Sequence, residues 1–470
     1  ERVLFALVAA RAIEPASKLA TAAWLSRRTH IAGLTDDDVG VGEDECYRAM
    51  DWLIEAAPQV EREVFWSVAS LLDLEVDLLF FDTTSTYFET EDADEAVARD
   101  SRGEVLPDGQ QQPAPGQTEG EGPARAGFRT WGKSKDSRGD LPQIVIGMAV
   151  TRTGIPVRVW SWPGNTTDSA LIRQAKADLR DWTLARIVWV GDRGFTSAAN
   201  RRDLRAGGHG YILGEKLRSG SADAQAALAR PGRYQTVADN LQVKEVKIRD
   251  DERFIVCFNP DTADRDAALR QVMVDKLEAL IAGSDALPAR KRAELAGKIS
   301  TMAGPHRYLR QTPGGLLRVD KAKIAAETKL DGKYLLRCSD PTMSAEDIAL
   351  GYKQLIQVER GWRDLKTHLE LRPVYHRLEQ RIRAHVLLCW LALLLVRIIE
   401  TKTGRTWAVV REDLQDLHVG VFTGPAGTFT QTSTPTPGAR AALAALDVDP
   451  PKKILGLVPA GTEPAEQRTG

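Results

Sequence analysis

Residues 346–370, EDIALGYKQLIQVERGWRDLKTHLE, carry the pattern that predicts how the rest of the chain is organised. Their apolar side chains recur every three or four positions, which is typical of an amphipathic helix with one buried face. Tyr352, Glu359 and Lys366 are seven residues apart, so one long helix places them on a single line, roughly 70° from the middle of that face. A glutamate at the edge of the buried face can point into a functional site while the core holds its helix in place. Alternatively, Glu359 pairs with Arg363 one turn further along the helix.

Two aspartates follow apolar runs upstream of this helix. Residues 76–82, VDLLFFD, and residues 186–192, RIVWVGD, each predict a buried strand that ends in an aspartate. A single aspartate at such a position commonly caps a turn. Asp82, Asp192 and Glu359 together provide the oxygen ligands that Mg²⁺ prefers, and two ions about 4 Å apart suit phosphoryl transfer. We therefore expect these three carboxylates to converge on one catalytic site that holds two Mg²⁺ or Mn²⁺ ions.

The order of predicted elements divides the chain into five segments. Residues 1–75 form a helical domain, and residues 76–214 form the first part of a mixed sheet, with a disordered loop at about 90–126. Residues 215–345 are predicted to be an inserted, mainly β subdomain with its own core, because so long a connection needs one. Residues 346–420 complete the sheet domain, and residues 421–470 form a tail that is loose at 424–440. The predicted fold class is α/β, with a mixed sheet flanked by helices.

Charge and cysteine content narrow the class of protein. Residues 1–100 hold 8 basic and 22 acidic side chains, whereas residues 101–470 hold 55 basic and 43 acidic ones. Although the net charge of the chain is only −2, most of the chain is therefore basic, which is typical of a nucleic-acid-binding protein. The four cysteines lack metal or disulfide spacing, which indicates a reducing, cytoplasmic location. The longest apolar run, Val386–Val396, has too few residues to span a bilayer. It predicts a core helix, and we expect no membrane partner.

The three acidic motifs, in this order, resemble the DDE transposases of bacterial insertion sequences. The resemblance is strongest to the branch whose glutamate lies in a Y-x2-R-x3-E-x6-K signature. Here Tyr352, Glu359 and Lys366 match that signature, and Leu355 replaces its arginine. The sequences FDTTSTYFE around Asp82, VGDRGF around Asp192, and LELRPVYH and RIRAHVLLC after the glutamate are also similar to this family. The resemblance covers roughly residues 5–460.

The resemblance implies a ribonuclease-H-like catalytic domain that cuts and joins double-stranded DNA at the terminal inverted repeats of an element and at a target. It also implies a homodimer in the DNA complex, in a bacterial cytoplasm and associated with the nucleoid. The DNA-binding residues would be Tyr352, Lys366, Arg193 and Arg363. The N-terminal helical domain could bind DNA ends or be a packing module. Lys133 and Lys135 lie in a basic loop that we expect to be mobile and solvated.

Two other functions remain open at the level of the sequence. A structure-specific ribonuclease-H-like nuclease or resolvase would share the three carboxylates but would not join DNA ends. A domesticated, inactive DNA-binding protein would keep the fold without the chemistry, although all three acidic positions are filled here.

Overall fold

The computed structural model describes residues 1–29, 31, 41–74, 76–107, 124–182, 186–249 and 252–460. The chain forms two compact units: the first comprises Glu1–Ala185 and Ile356–Gly470, and the second comprises Arg186–Leu355. The elements form an α/β fold with a mixed sheet flanked by helices, which confirms the predicted fold class.

The N-terminal part of the first unit is helical, as predicted. Its helices are α1 (Arg2–Ile13), α2 (Lys18–Arg27), α3 (Glu43–Glu55) and α4 (Ala57–Leu72). Pro15 and Ser17 separate the first two helices, and the Ser17 hydroxyl caps α2 by accepting a hydrogen bond from the Ala20 N–H at 3.2 Å.

The first half of the first unit contains five strands, three of which pair antiparallel with one of them in the centre. In chain order they are β1 (Leu78–Tyr87), β2 (Val97–Ala98), β3 (Arg125–Ala126), β4 (Gln143–Thr151) and β5 (Pro156–Pro163), followed by α5 (Asp168–Asp178). Strand β4 lies between β1 and β5. The prediction that Asp82 ends its strand is wrong, because β1 continues to Tyr87. The β-branched residues after Asp82 favour an extended chain, and they pair with the first half of β4.

The loop predicted to be disordered at 90–126 is partly structured. Strands β2 and β3 pair with each other, and Arg99 is buried in a salt bridge of 2.8 Å to Glu379. A buried charge with a partner of this kind fixes the backbone that carries it. The part of that prediction that concerns residues 108–123 lies outside the described residues.

The second unit is built on one sheet. Its elements are β6 (Val188–Gly191), α6 (Ala198–Arg205), β7 (Gly210–Glu215), α7 (Ala222–Ala229), β8 (Gln235–Ala238), β9 (Leu241–Arg249), β10 (Glu252–Phe258), α8 (Pro260–Ile281), α9 (Ala289–Ser300), β11 (Leu309–Gln311), β12 (Leu317–Val319), α10 (Lys321–Thr328), β13 (Lys333–Cys338) and α11 (Ala345–Lys353). The strand order within this unit is β6-β7-β13-β10-β9-β8, with β6 and β7 parallel.

Residues 215–345 differ from the predicted insertion in two respects. Strand β13 pairs antiparallel with β7, so strands from this segment continue the sheet of β6 and β7. The segment also contains four α-helices, the longest being α8, where mainly β structure was expected. It does have a separate apolar cluster, in which Val274, Leu277, Ile299 and Tyr308 are buried. The sequence predicts this cluster, but it does not reveal that the flanking strands join a neighbouring strand.

The chain then returns to the first unit. Its remaining elements are α12 (Ile356–Thr367), α13 (Glu379–Thr403), α14 (Trp407–Leu414), β14 (Val419–Gly424), β15 (Gly427–Thr432), α15 (Pro437–Ala445) and β16 (Ile454–Pro459). The segment predicted as a loose linker at 424–440 instead contains β15 and the start of α15, because β14, β15 and β16 pair as a small antiparallel sheet.

Helix α13 is the one described helix that is long and apolar enough to cross a membrane by length and composition. Of its most apolar window, 72% is buried inside the structure. Its central residues, such as Leu388, Trp390 and Leu393, are fully or almost fully buried, as expected of a core helix.

Candidate active site and nucleic-acid interface

The structure divides the helix predicted over residues 346–370 into α11 and α12. At Gln354 and Leu355 the backbone N–H groups bond three residues back, to Gly351 and Tyr352, instead of four, which ends one helix before the next begins. The residues here include no proline, and Gly351 in the last turn of α11 is only a weak signal for a break, since an isolated glycine is tolerated within a helix. Helix α11 packs on strands of the second unit, whereas α12 packs on β1, β4 and α13 of the first. Tyr352 therefore does not share a helix with Glu359 and Lys366, and the predicted line of three residues is wrong for Tyr352.

Helix α12 covers the face of the sheet that carries Asp82. In the antiparallel pair of β1 and β4, Asp82 lies opposite Met148, so the two side chains point to the same face. Gly361 of α12 packs on Met148 so closely that a Cβ atom built on it would lie 2.6 Å from Met148 Cε. Only a glycine permits this approach without displacing its neighbour. The helix therefore reaches its closest approach beside Asp82.

A second contact fixes the direction of α12 along β1. Lys366 Nζ donates a hydrogen bond of 2.8 Å to Thr84 Oγ1, and Thr84 lies on the same face as Asp82, two residues further along the strand. Gly361 to Lys366 spans about 7.5 Å of helix, and Asp82 to Thr84 spans about 6.6 Å of strand. The two elements therefore run side by side. Glu359 lies two residues before Gly361 on α12, so its side chain leaves the helix about 200° around the axis from the face that contacts Met148. Its convergence with Asp82 stays a prediction.

The side chain of Glu359 is exposed to solvent. It forms no ion pair or hydrogen bond with any residue that the structure describes, and Arg363 is also exposed and without such a partner among those residues. The alternative prediction, in which Glu359 is paired with Arg363 at i,i+4, is therefore wrong. A solvated carboxylate on a helix held by the core is available to bind a ligand.

In the second unit, Asp192, Arg193 and Tyr352 lie near one another. Asp192 follows β6, as predicted, and its Oδ1 accepts a hydrogen bond of 2.7 Å from the Gly194 N–H. It therefore caps the next turn and keeps Oδ2 available. Tyr352 lies over Gly214 of β7, where a built Cβ would be 2.4 Å from Tyr352 Oη and 3.3 Å from the Arg193 backbone nitrogen. The Arg193 side chain is exposed.

Basic side chains surround the second half of β1. Lys135 Nζ donates to the Thr83 carbonyl and hydroxyl oxygens, at 2.6 Å each, and lies 3.3 Å from Asp168. The expectation of a mobile, solvated loop is therefore wrong for Lys135, because the strand beside Asp82 anchors it. Lys366 Nζ also donates to Asp136 Oδ1 at 2.9 Å, and the pKa of Lys366 is lowered, chiefly by burial.

Asp136 connects Lys366 to further cations. Arg372 Nη1 lies 2.8 Å from Asp136 Oδ2, and the guanidinium groups of Arg372 and Arg138 each lie 5.1 Å from the centre of the Tyr87 ring. Lys366 thus pairs with Asp136 and not with Glu370. An ammonium has three donors, so Lys366 keeps one N–H for another acceptor.

Sequence reasoning missed Met148, Gly361 and Asp136 as residues that position the site. Met148 and Gly361 act through close packing, which a single sequence does not encode as a motif. Asp136 had a weak signal, since it lies in the basic, glycine-punctuated stretch GKSKDSRGD, residues 132–140. Its two cationic partners lie more than 200 residues away.

The donor chemistry of the three predicted acidic residues suits a hard divalent cation. Asp82, Glu359 and Asp192 Oδ2 offer carboxylate oxygens. Within the described part of the chain, no group of three or more His, Cys, Asp or Glu residues is arranged to hold a metal ion. Mg²⁺ is commonly held by one or two carboxylates together with waters and substrate phosphates, so these residues fit it without a closed cage. That all three carboxylates converge stays a prediction.

The chain is similar to known transposases in sequence and in structure. Residues 102–395 match a family model described as a transposase DDE domain, and no curated protein sequence matches the chain. Similar solved structures include a piggyBac transposase synaptic complex with hairpin DNA, at 10% identity, covering 84% of this chain and 74% of that chain, with a TM-score of 0.34. Another is a Mos1 transposase paired-end complex with the left transposon end, at 13% identity, covering 35% and 48%, with a TM-score of 0.15. Because the family model spans more than half of its residues, the chain belongs to the transposases with a DDE domain.

Proposed function

We propose that this transposase cuts DNA at the ends of an insertion sequence and joins them to a target in a metal-dependent reaction. The observation that supports the proposal is the packing of α12, the helix that carries Glu359, on β1, the strand that carries Asp82. The match of the family model and the acidic motifs in their expected order support the same chemistry.

Asp82, Glu359 and Asp192 would hold two Mg²⁺ or Mn²⁺ ions, which when bound supply activation of the attacking oxygen and charge stabilisation at the leaving one. The protein itself contributes rigidity to this site. Asp82 lies within a paired strand and Glu359 on a helix that the core holds, so the backbone that carries each carboxylate is rigid.

Arg193, Arg363, Lys366 and Tyr352 would bind the DNA. Arg193 and Arg363 are exposed and can reach phosphates directly. Lys366 would offer its remaining N–H to a phosphate while Thr84 and Asp136 orient it. Such contacts position DNA but carry no sequence information. By its signature we assign the chain to the Y-x2-R-x3-E-x6-K branch, and we propose that it acts on terminal inverted repeats as a homodimer.

A strand-transfer assay separates this function from that of a nuclease. The full chain would be incubated in Mg²⁺ with labelled duplexes that carry the inverted repeats flanking its coding sequence, together with a supercoiled plasmid. We expect label to become joined to the plasmid. Cleavage without joined product would favour a resolvase or nuclease, and DNA binding without cleavage would favour a domesticated binding protein.

A further inference from the structure

A cavity of about 580 Å³ lies in the first unit, away from Asp82 and Glu359. Helices α1, α2, α3 and α13 and the segment that precedes α13 form its walls. The ionisable and polar side chains that line it are Arg11, Ser17, Lys18, Glu43, Tyr47, Glu370, Tyr375, His376 and His385. It is not part of the active site proposed above, and no motif in the sequence pointed to it.

Lys18 is the unusual residue in this lining. Its relative exposure is only 5%, and it has no hydrogen-bond or ion-pair partner among the described residues. Burying an ammonium group without a partner is costly, so buried lysines normally pair with a carboxylate. Burial and the neighbouring Arg11 lower the pKa of Lys18 to about 8, so at pH 7 most molecules still carry the charge.

The other charged groups do not neutralise Lys18. After burial and Arg11, the groups that act on its pKa are the thiols of Cys389 and Cys46, and no carboxylate is among them. Both thiols have raised pKa values, chiefly through burial, and stay neutral near pH 7. Glu43 and Glu370 also line the cavity. Glu370 is exposed, and Glu43 hydrogen-bonds to Tyr47, whose pKa burial and this bond raise.

Backbone groups and Arg11 add to the positive character of the cavity. Lys18 is the first residue of α2, directly after the cap Ser17, so the positive end of the helix dipole and its unpaired N–H groups lie at this wall. Arg11 donates to the Ala16 carbonyl at 2.9 Å, and its Nη1 lies 3.5 Å from the Glu370 carbonyl. Arg11 therefore connects two segments of the cavity wall, and its guanidinium has further N–H donors that can bind a ligand.

The histidines in the wall are neutral. Burial lowers the pKa of His376 to about 4 and lowers that of His385 well below its ordinary value. His385 Nε2 lies 3.0 Å from the Leu371 carbonyl. In the tautomer that donates this bond, Nδ1 is an acceptor and adds nothing to the attraction of an anion. The positive charge in the cavity therefore comes from Lys18 and Arg11.

We propose that this cavity binds a phosphate group, with the Lys18 ammonium as its ion-pair partner and Arg11 and the N-terminus of α2 as further donors. The phosphate could belong to the backbone of bound DNA or be free inorganic phosphate. The DNA source rests on the proposed function, whereas binding of inorganic phosphate does not.

Thermal unfolding of the full chain at pH 7 tests the proposal. Inorganic phosphate would be compared with sodium chloride at equal ionic strength, for the wild type, Lys18→Met and Arg27→Met. Arg27 is an exposed residue at the opposite end of the same helix, so its replacement removes the same charge outside the cavity. At phosphate concentrations about tenfold above Kd, we expect Tm to rise by roughly 1–2 °C in the wild type and in Arg27→Met, and not at all in Lys18→Met.

Amine labelling gives a second readout that does not depend on a variant. Acetylation of Lys18, followed by mass spectrometry of the wild type, should be suppressed by phosphate and not by chloride. Absence of a phosphate-specific rise in Tm together with absence of protection would overturn the proposal. An equal rise in Tm in Lys18→Met would also overturn it, because the phosphate would then bind elsewhere.

Binding to a duplex of random sequence separates the two sources of phosphate. If the ligand is the DNA backbone, Lys18→Met weakens duplex binding, DNA protects Lys18 from acetylation, and Arg27→Met retains more affinity. If the ligand is free phosphate, Lys18→Met binds DNA like the wild type while losing its response to phosphate. Loss of DNA cleavage with the phosphate response intact would count against the proposed function but not against this site.

Discussion

Gly361 controls how closely α12 approaches the face of β1 and β4, so Gly361→Leu should disturb catalysis more than folding. A Cβ at this position would lie 2.6 Å from Met148 Cε and 3.7 Å from Leu393 Cδ2. Ordinary contact needs about 1 Å more, so either Met148 or the helix must move. Leucine favours a helix over glycine by about 0.8 kcal/mol, but overpacking costs about 1–3 kcal/mol. The net destabilisation should therefore be only about 0–2 kcal/mol.

Cleavage by Gly361→Leu should fall about 100-fold, since a shift of 1 Å in a catalytic group can have that effect. Urea unfolding and cleavage of labelled transposon ends measure the two quantities. Gly297→Leu in α9 is the matched control, because nothing lies within 4 Å of its Cβ position; it should be stable and active. If Gly361→Leu cleaved DNA at the wild-type rate while folded, the view that α12 positions Glu359 over Asp82 would be refuted.

Three further predictions concern other parts of the structure. Gly214→Ala should destabilise the fold, because its new Cβ would lie 2.4 Å from Tyr352 Oη. Adding Tyr352→Phe should restore about 1 kcal/mol of the free energy of unfolding in a double-mutant cycle. Additive effects of the two substitutions would contradict the contact. Lys366→Ala should lower the free energy of unfolding by about 1–3 kcal/mol, because Asp136 loses one partner. It should also reduce the slope of log K for DNA binding against log salt by about one, and an unchanged slope would make Lys366 purely structural. Burial holds the pKa of His376 at about 4, so the unfolded chain binds more protons below pH 6.5. The free energy of unfolding should therefore decrease as the pH is lowered from 6.5 to 4, and it should decrease less in His376→Gln, as measured by urea midpoints. An equal decrease in the variant would exclude His376 as a cause of the pH dependence.

Local patterns in the sequence predicted the parts of the fold that depend on local physics. The apolar runs before Asp82 and Asp192 predicted buried strands, because a strand covered on both faces needs continuous hydrophobic residues. The apolar run of α13 predicted a core helix for the same reason.

Tertiary contacts determine the features that the sequence did not reveal. The break at Gln354 and Leu355 lies in a strongly helical sequence, and it separates a helix that packs on the second unit from one that packs on the first. No local residue encodes that difference. The pairing of β13 with β7 likewise depends on which strand edge is free in the folded chain.

The candidate site was predicted in part. The acidic residues and Lys366 were identified from the spacing of the motifs, and the fold places Glu359 and Lys366 on one helix beside β1. The anchoring of Lys135 and the ion pair of Lys366 with Asp136 were not predicted. Ion pairs between distant segments have no signature in a single sequence, because many side chains of either sign could serve.

The most direct test of the central claim is DNA cleavage by Asp82→Asn, Asp192→Asn and Glu359→Gln in Mg²⁺, with DNA binding measured in parallel. Each substitution is nearly isosteric but removes a charge that the metal ions need. The exposed Glu412 of α14 provides the control variant, Glu412→Gln. We predict that each of the three variants binds transposon ends like the wild type and loses cleavage by about 10³-fold or more, while Glu412→Gln remains active. Near-normal cleavage by any of the three would contradict the account and remove that residue from the catalytic set.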